Sequence, residues 1–501
     1  MNRLDGFPFH EIERATGSET LGGNRIQLQF EGSTTFASWL EAIDRAERFV
    51  YFENYLVRDD RVGRAFRDAL IRKAQEGVPV FLLYDWVGCW ATPRSFWKPL
   101  RAAGVNLRAF NRPRLGLGDP FGVLQRDHRK LIVVDADVAF VGGFCVGEEW
   151  AGGATEPPWR DTALEIHGPA ARTAALAFET LWDRIGEPSF LAATMPEAES
   201  AGDTPVWLIE GEPGRARVYR TLHLAAARAR ERIWITDAYF VAPRAVSEAL
   251  GAAAQQGVDV RILLPANNNW PLVGSLSRSG YRFLLENGVR IFEWQGPMIH
   301  AKTSVVDGRW CRVGSSNLNV ASLMGNWELD VGVLDEDLAG QLEGLFLADL
   351  ASSVELVLPG QRSARGDVMG LGEPGTAFLD PEGTLPARIE RELRTFGTSP
   401  ARLTMAPLLR VGAMFGGALA GDRTLGREDR TMLGTVSVAI LAVAAIAGFF
   451  PSVVGALVAA VAGWFGVTTG IRAYLQSRRA RAAERLAPNM DAGSDNKGGD
   501  R

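Results

Sequence analysis

Two stretches of the chain combine a histidine, a lysine and an aspartate at the same spacing. They contain His128, Lys130 and Asp135 in the first stretch and His300, Lys302 and Asp307 in the second. Because side chains two apart on an extended strand leave the same face, each histidine should point with its lysine into one cavity. An imidazole serves as a nucleophile or a proton donor, and an ammonium is a compact charge that suits one phosphate oxygen. The pattern indicates cleavage of a phosphodiester without a metal or another cofactor.

The use of lysine in this chain strengthens that interpretation. Only five of the 54 basic residues are lysine, and two of those five stand two residues after a histidine. Any one histidine should start the full pattern by chance on the order of once in two thousand tries, yet two of the five histidines start it. Chemistry therefore explains these lysines better than packing does. The other histidines, His10, His167 and His223, lack this context and are expected to be structural or exposed.

The motifs belong to a longer internal repeat. Three other segments of the first half recur in order in the second: Glu53-Asn-Tyr55 as Asp237-Ala-Tyr239, 75–80 as 255–260, and 103–105 as 287–289. A repeat this long indicates two whole domains, which we place at residues 24–200 and 201–358, after a lead-in over residues 1–23. If the domains pack about a pseudo-twofold axis, both motifs meet in a single cleft.

Hydrophobic patterning predicts the class of these domains. The predicted strands of the first half are 26–30, 49–52 and 78–84, and the predicted helices are about 35–48 and 62–76. Strands that alternate with helices are typical of a layered α/β domain. The boundary between the two domains is expected in the polar, proline-containing stretch 193–205.

The part that follows the second domain has a different composition. Residues 359–431 are predicted to be a linker, in which 401–419 is either a helix in a bilayer interface or a helix packed on the enzyme. Residues 432–471 are apolar, uncharged and interrupted by Pro451. They are long enough for two transmembrane helices joined at the proline, and a buried soluble hairpin is the alternative. Arginines flank both ends, which predicts that both are cytoplasmic and that 472–501 is a basic, then disordered tail.

Charge and cysteine content exclude some classes of protein. The net charge is −5 and the sequence pI about 5.8, so no global basic field attracts nucleic acid, and a nuclease is disfavoured. The cysteines, Cys89, Cys145 and Cys311, are odd in number and form no zinc pattern. The first residues contain no apolar run typical of a signal peptide. We expect the catalytic part to be made and kept in the cytoplasm.

Three apolar stretches have two interpretations each. Residues 85–97 are rich in tryptophan, and residues 115–124 and 267–276 are apolar loops that precede the two motifs. Packing is one interpretation. The other is that they line an entrance for acyl chains.

The paired motifs, each followed by a glycine-rich turn at Gly142-Gly143 or at Gly314, carry a resemblance to a known family. On these residues the chain resembles the phospholipase D superfamily, and its layout is most similar to that of the bacterial cardiolipin synthases. The resemblance implies two homologous α/β/α sandwich domains packed about a pseudo-twofold axis. The composition adds the C-terminal transmembrane hairpin to that fold.

The resemblance also implies roles for individual residues. His128 would be the nucleophile that forms a phosphatidyl-histidine and His300 the acid that later becomes the base, although the reverse order stays open. The lysines would hold the non-bridging oxygens. The expected helpers in phosphate binding are Gly314, Ser315, Ser316 and Asn317. Asp161 and Glu328 would orient the histidines, and Asp135 and Asp307 would hold the motif turns in shape.

One position departs from the family pattern. The first glycine-rich turn carries Cys145 where the family commonly has asparagine, and a thiol is a poor hydrogen-bond donor, so the first half should bind phosphate less firmly. The implied reaction joins two phosphatidylglycerol molecules into cardiolipin and glycerol on the inner face of the cytoplasmic membrane. A phospholipase D that transfers the intermediate to water is the nearest alternative. A membrane-bound binding protein with a degenerate site is the other.

Overall fold

Strands and helices alternate in both halves of the computed structural model, which describes residues 9–112, 125–153, 156–189, 191–195, 198–269, 271–358 and 375–378. The strands are β1 (Leu21–Gln29), β2 (Val50–Asn54), β3 (Val80–Asp85), β4 (Asn106–Phe110), β5 (Lys130–Val134), β6 (Val138–Gly142), β7 (Ala163–His167), β8 (Thr204–Gly211), β9 (Arg232–Thr236), β10 (Asp259–Pro265), β11 (Arg290–Trp294), β12 (Thr303–Val306), β13 (Trp310–Gly314), β14 (Glu328–Leu334), β15 (Ser353–Val357) and β16 (Gly375–Phe378). The helices are α1 (Phe9–Thr16), α2 (Gly32–Asp44), α3 (Arg61–Gln75), α4 (Arg94–Ala102), α5 (Glu148–Ala151), α6 (Pro169–Arg184), α7 (Leu191–Thr194), α8 (Arg217–Arg228), α9 (Arg244–Gln255), α10 (Pro271–Glu286) and α11 (Glu336–Ala351). A π-helical turn, Ala321–Gly325, precedes β14.

The predicted elements of the first half are present, with bounds that differ by a few residues. Strand β1 begins five residues before its predicted start, and α2, which was predicted to reach residue 48, ends at Asp44. The backbone N–H groups of Glu47 and Arg48 donate to the carboxylate of Asp135 at 2.8 and 2.7 Å. These donors are therefore satisfied by a side chain rather than by another helical turn.

The described strands form one continuous sheet whose order repeats from its centre outwards. The order is β16-β15-β11-β10-β9-β12-β13-β14-β8-β1-β7-β6-β5-β2-β3-β4. From β1 outwards the first half runs β1-β7-β6-β5-β2-β3-β4, and from β8 the second half runs β8-β14-β13-β12-β9-β10-β11 in the same arrangement. The central strands β1 and β8 are antiparallel to each other, which is the relation that a pseudo-twofold axis produces between equivalent strands.

Helices cover both faces of this sheet. One face of the first half packs against α2, α3 and α4 through Phe36, Phe66 and Trp97, and the same face of the second half packs against α8, α9 and α10. The other face packs against α6 and α11, whose apolar side chains share one core with strands of both halves. The fold is thus a layered α/β/α arrangement in which the two halves are held together by a common core. The chain passes from the first half to the second between α7 and β8, where we propose the domain boundary.

The predicted membrane hairpin at 432–471, the linker at 359–431 and the tail at 472–501 lie outside the described residues, apart from β16 within the linker. Of the helices that the structure describes, none combines the length and the apolar content that a bilayer crossing requires.

Candidate active site

Each motif histidine lies on an extended segment just before a central strand, and its backbone is paired with the other half of the molecule. The N–H of His128 donates to the carbonyl of Trp327 at 2.9 Å, and the N–H of His300 donates to the carbonyl of Arg160 at 2.7 Å. Both acceptors directly precede the carboxylates that were predicted to orient the histidines. The two motifs are therefore brought into one site by symmetric backbone contacts between the halves.

The orienting carboxylates are exchanged between the halves. Nδ1 of His128 lies 2.9 and 3.0 Å from the two carboxylate oxygens of Glu328, which belongs to the second half. Nδ1 of His300 lies 2.7 Å from Oδ2 of Asp161, which belongs to the first half. The ionised Asp161 only accepts hydrogen bonds, so Nδ1 of His300 carries the proton, and in both histidines Nε2 is the nitrogen that the carboxylate leaves for the reaction.

The two carboxylates are held by different donors. The hydroxyl of Ser315 donates to Glu328 at 2.5 Å, whereas the indole N–H of Trp150 donates to Asp161 at 2.8 Å. Gly143 occupies the position in the first half that corresponds to Ser315. A Cβ atom there would lie 2.0 Å from Oδ1 of Asp161. Serine cannot fit at that position without displacing the carboxylate, so tryptophan supplies the donor instead.

The lysines lie beside the histidines, and a pair of tyrosines completes the symmetric arrangement. Nζ of Lys130 donates to the carbonyl of His128 at 2.5 Å, and Nζ of Lys302 donates to the carbonyl of His300. The Tyr55 ring lies 4.9 Å from the His128 ring and 5.1 Å from Nζ of Lys130.

Tyr239 takes the same position in the second half, with its ring 5.7 Å from the His300 ring and 5.7 Å from Nζ of Lys302. Both tyrosines were part of the repeat used to detect the duplication, but they were not predicted as site residues. Their recurrence beside a buried strand was the signal that pointed to them.

Burial and the lysine charges lower the basicity of both histidines. Burial and the charge of Lys302 lower the pKa of His300 to about 3, and burial together with Lys130 and Lys302 brings the pKa of His128 well below its ordinary value. Burial also lowers the pKa of Lys302 to about 8. In this field both imidazoles are neutral at neutral pH. A phosphodiester anion between the lysines would raise both pKa values, because it offsets their positive charge.

The carboxylates differ in charge state. Burial would raise the pKa of Asp161, but His300 and Lys302 hold it below its ordinary value. Burial raises the pKa of Glu328 to about 7, even though Lys130 opposes the shift. At neutral pH Asp161 is ionised, whereas Glu328 holds its proton more strongly. The carboxylate beside His300 therefore supports a positive imidazole more strongly than the one beside His128.

Comparison with known proteins identifies the family. A family model described as cardiolipin synthase, PLD-like domain, matches residues 223–350. Cardiolipin synthase A of Pseudomonas aeruginosa (strain LESB58) is 34% identical over 359 residues, which are 71% of this chain and 72% of that protein. The cardiolipin synthase of Geobacillus thermodenitrificans (strain NG80-2) is 36% identical over 347 residues, which are 67% and 68% of the two chains. The chain belongs to the cardiolipin synthase family.

A solved structure supports the fold of this cardiolipin synthase family member. The crystal structure of phosphatidylserine synthase from Haemophilus influenzae Rd KW20 superposes with a TM-score of 0.57 at 15% sequence identity, over 80% of this chain and 98% of that one. At this identity the likeness concerns the fold alone. It agrees with the phospholipase D-like α/β architecture that the paired motifs imply.

The hydroxyls of the second glycine-rich turn donate to buried carboxylates. Ser315 donates to Glu328, and Ser316 donates to Asp330, which also receives a hydrogen bond from Arg312 at 2.7 Å. Because these hydroxyl protons are already given to carboxylates, both serines position those carboxylates, and their contact with phosphate stays a prediction. Gly314 lies against Asp330, where a Cβ atom would be 2.3 Å from the carboxylate.

Asn317 and Cys145 occupy equivalent positions beyond the two turns. Asn317 is 4% exposed, and its side-chain oxygen has no hydrogen-bond partner among the described residues. A buried polar atom without a partner is costly, which favours a bound ligand that supplies one. Cys145 is buried as a free thiol whose pKa is raised by burial. A thiol that stays protonated adds no charge to this side of the site.

Asp135 and Asp307, grouped with the catalytic residues by sequence, lie away from the histidines. Asp135 follows the far end of β5, so about 20 Å of extended chain separates it from His128. Its carboxylate accepts the N–H groups of Glu47, Arg48 and Phe49 at 2.8, 2.7 and 2.8 Å.

Asp307 binds three backbone N–H groups in the same way, those of Arg230, Glu231 and Arg232, at 3.0, 2.8 and 2.9 Å. Both aspartates have a left-handed backbone conformation, with φ of +58° and +51°. These contacts fix the chain that enters β2 and β9, so the two residues stabilise the motif strands and touch no reacting group.

We expect Asp135→Ala to lower the free energy of unfolding by about 2–4 kcal/mol, because three backbone donors lose a charged acceptor at once. Urea unfolding of the full chain, followed by tryptophan fluorescence, measures the change. Asp137→Ala is the matched control, since that side chain is 67% exposed and paired only with Arg48 at the surface, and its loss should cost less than about 1 kcal/mol. Equal unfolding midpoints for the two variants would contradict the stabilising role of Asp135.

Proposed function

We propose that this phospholipase D-type phosphatidyltransferase joins two phosphatidylglycerol molecules into cardiolipin and releases glycerol. The observation that carries the proposal is the exchanged pairing of His128 with Glu328 and of His300 with Asp161. It supplies two imidazoles, each oriented by a carboxylate and accompanied by a lysine, in one site. The names of the related cardiolipin synthases indicate which lipid is made.

In the first step, Nε2 of His128 would attack the phosphorus of one phosphatidylglycerol. The bond between phosphorus and nitrogen forms as the bond to the glycerol oxygen breaks, and His300 gives its proton to that oxygen. Lys130 and Lys302 would hold the negative non-bridging oxygens, with the amide of Asn317 as a further contact.

In the second step, His300 would take the proton from a head-group hydroxyl of a second phosphatidylglycerol. The freed oxygen attacks phosphorus, the bond to His128 breaks, and cardiolipin is formed. One phosphodiester replaces another, so no external energy source is needed. The ionised Asp161 stabilises the imidazolium on which both proton transfers depend, whereas Glu328, whose pKa is raised, favours a neutral His128. This difference supports His128 as nucleophile and His300 as acid and base.

Product analysis tests the proposal. The purified full chain in mixed micelles with phosphatidylglycerol is expected to yield cardiolipin and one glycerol per cardiolipin, detected by mass spectrometry and by an enzymatic glycerol assay. Formation of phosphatidic acid as the main product would show that water is the acceptor and would overturn the transferase proposal. His128→Ala is the control, and it should give neither product.

We also propose that residues 432–471 form a transmembrane hairpin that holds the enzyme on the cytoplasmic side of the inner membrane. The uncharged composition of that span and the arginines on both of its flanks support the proposal. The lipid chemistry of the family supports membrane association. After alkaline carbonate extraction of cell membranes, the full chain is expected in the pellet, and recovery in the supernatant would rule the hairpin out.

A further inference from the structure

A second cavity lies in the first half, outside the histidine site. It has a volume of about 1150 Å³ and lies beside α4. Arg94, Lys98 and Arg101 line it, and their spacing of four and three residues places them on one face of the helix. Trp90 stands on the loop before α4 and also lines the cavity. We call this site the α4 cavity.

Three cations of the α4 cavity are without an ion pair in the part of the chain that the structure describes. There, no carboxylate oxygen lies within 4.0 Å of the charged nitrogens of Arg94, Lys98 or Arg101. Three positive groups on one helix face repel one another, and that repulsion decreases when an anion binds between them.

On the equivalent helix of the second half, cations are paired with carboxylates. Helix α10 occupies in the second half the place that α4 occupies in the first. Its Arg278 is paired with Glu293 and its Arg282 with Glu286, both at 2.8 Å. The duplicated halves therefore differ in how the cations of this helix are paired.

Aromatic side chains line the α4 cavity, as a stacked pair and as one exposed indole. Tyr84 and Trp97 are stacked with ring centroids 4.2 Å apart and an interplanar angle of 7°. Trp90 is 76% exposed, the largest exposed fraction among the large apolar residues that the structure describes. An indole that projects into solvent beside cations is typical of proteins that contact a lipid interface, where the ring lies at the level of the head groups.

The α4 cavity is separated from the histidine site by a thin layer of protein. Cys89 lines the cavity, and its sulfur lies 3.7 Å from the carbonyl oxygen of Tyr55. The ring of Tyr55 in turn packs on His128. Both sites therefore lie at the same edge of the sheet, at the carboxyl ends of β2 and β3.

We propose that the α4 cavity binds the phosphodiester head group of an anionic phospholipid at a site distinct from the histidines. Arg94, Lys98 and Arg101 hold the phosphate oxygens, and Trp90 lies among the neighbouring head groups. The uncompensated cations, the cavity beside them and the exposed indole together carry the inference. Binding at this site requires no turnover and does not depend on which acceptor the enzyme uses.

Counting bound lipids tests the inference. The full chain carrying His128→Ala is kept in detergent and titrated with dihexanoyl-phosphatidylglycerol, with binding followed by isothermal titration calorimetry and the stoichiometry by native mass spectrometry. Two lipids per chain are expected, one at each site. Adding Arg94→Gln and Lys98→Gln should remove one of them or weaken it about 30-fold, because each cation near a lipid head group contributes about tenfold or less to affinity.

A matched control removes two charges elsewhere. Arg45→Gln with Arg244→Gln changes side chains that are 76% and 75% exposed, one directly after α2 and one on α9, and it should leave two lipids bound. Trp90→Ala should weaken the second lipid without changing the charge. Dihexanoyl-phosphatidylcholine should bind the α4 cavity far more weakly than the anionic lipid.

The outcomes separate this inference from the proposed reaction. If the charge-removal pair keeps both lipids at unchanged affinity, the α4 cavity is not a lipid site. If inorganic phosphate displaces the second lipid at equal concentration, the cavity is a free-phosphate site and the lipid assignment is overturned. If one lipid binds in total and the pair abolishes it, the α4 cavity holds lipid while the histidine site does not, and the proposed reaction fails instead.

Discussion

His300→Asn is expected to lower turnover of phosphatidylglycerol by about 10²–10⁴-fold, the usual contribution of a general acid, and yet to leave the nucleophile active. The substrate that reveals this is phosphatidyl-p-nitrophenol, because nitrophenolate leaves without a proton. The variant should release one nitrophenolate per chain in a burst and then stop, since no base activates the acceptor. Intact mass spectrometry should then show one phosphatidyl group on the protein, and peptide mapping should place it on His128.

His128→Asn is the matched control, because it removes the other imidazole by the same substitution. It should give no burst and no adduct with either substrate. An adduct on His300 in this variant would reverse the two roles, which the pseudo-twofold arrangement permits in principle. The environments argue against reversal, because Asp161 is ionised beside His300 whereas burial raises the pKa of Glu328 beside His128.

The motif strands and the duplication were accessible from sequence because they depend on local spacing. The alternation after His128 and His300 gives buried strands with the lysine on the same side as the histidine. The recurrence of Tyr55 as Tyr239 indicates one fold used twice. Such patterns need no knowledge of how distant segments meet, so the α/β class and the convergence of the motifs follow from them.

The partners of the site residues were not accessible in this way. Asp161 and Glu328 were identified as orienting residues, but the exchange between halves depends on backbone pairing of His128 with Trp327 and of His300 with Arg160. No spacing along the chain encodes that pairing. The hydrogen-bond partner of a hydroxyl could not be predicted from sequence either, because the direction in which Ser315 points is decided by a carboxylate on a neighbouring strand.

Asp161→Asn is expected to lower kcat for phosphatidylglycerol by about 10²–10⁴-fold while leaving the burst with phosphatidyl-p-nitrophenol nearly unchanged. The carboxylate acts through His300, whose acid function matters only when the leaving oxygen needs a proton. Glu328→Gln is the counterpart, and because Glu328 orients the nucleophile, it should slow the burst itself. An equal loss of burst and turnover in Asp161→Asn would mean that this residue merely maintains the fold.

The pH dependence of the reaction further separates a role of Asp161 through His300 from a role in maintaining the fold. Burial and Lys302 lower the pKa of His300, whereas the charge of Asp161 opposes that shift. Removing the charge of Asp161 lowers the pKa of His300 further. Each unit by which this pKa falls reduces the protonated fraction of His300 tenfold at any pH above the pKa. Because the protonated form is the active acid, kcat of Asp161→Asn, which reports the enzyme with bound phosphodiester, should begin to decline at lower pH than kcat of the wild type. Glu328→Gln should leave this descending limb in place, because its carboxylate contacts the other histidine. A lower rate without any displacement of the limb in Asp161→Asn would assign the proton transfer to a group other than His300.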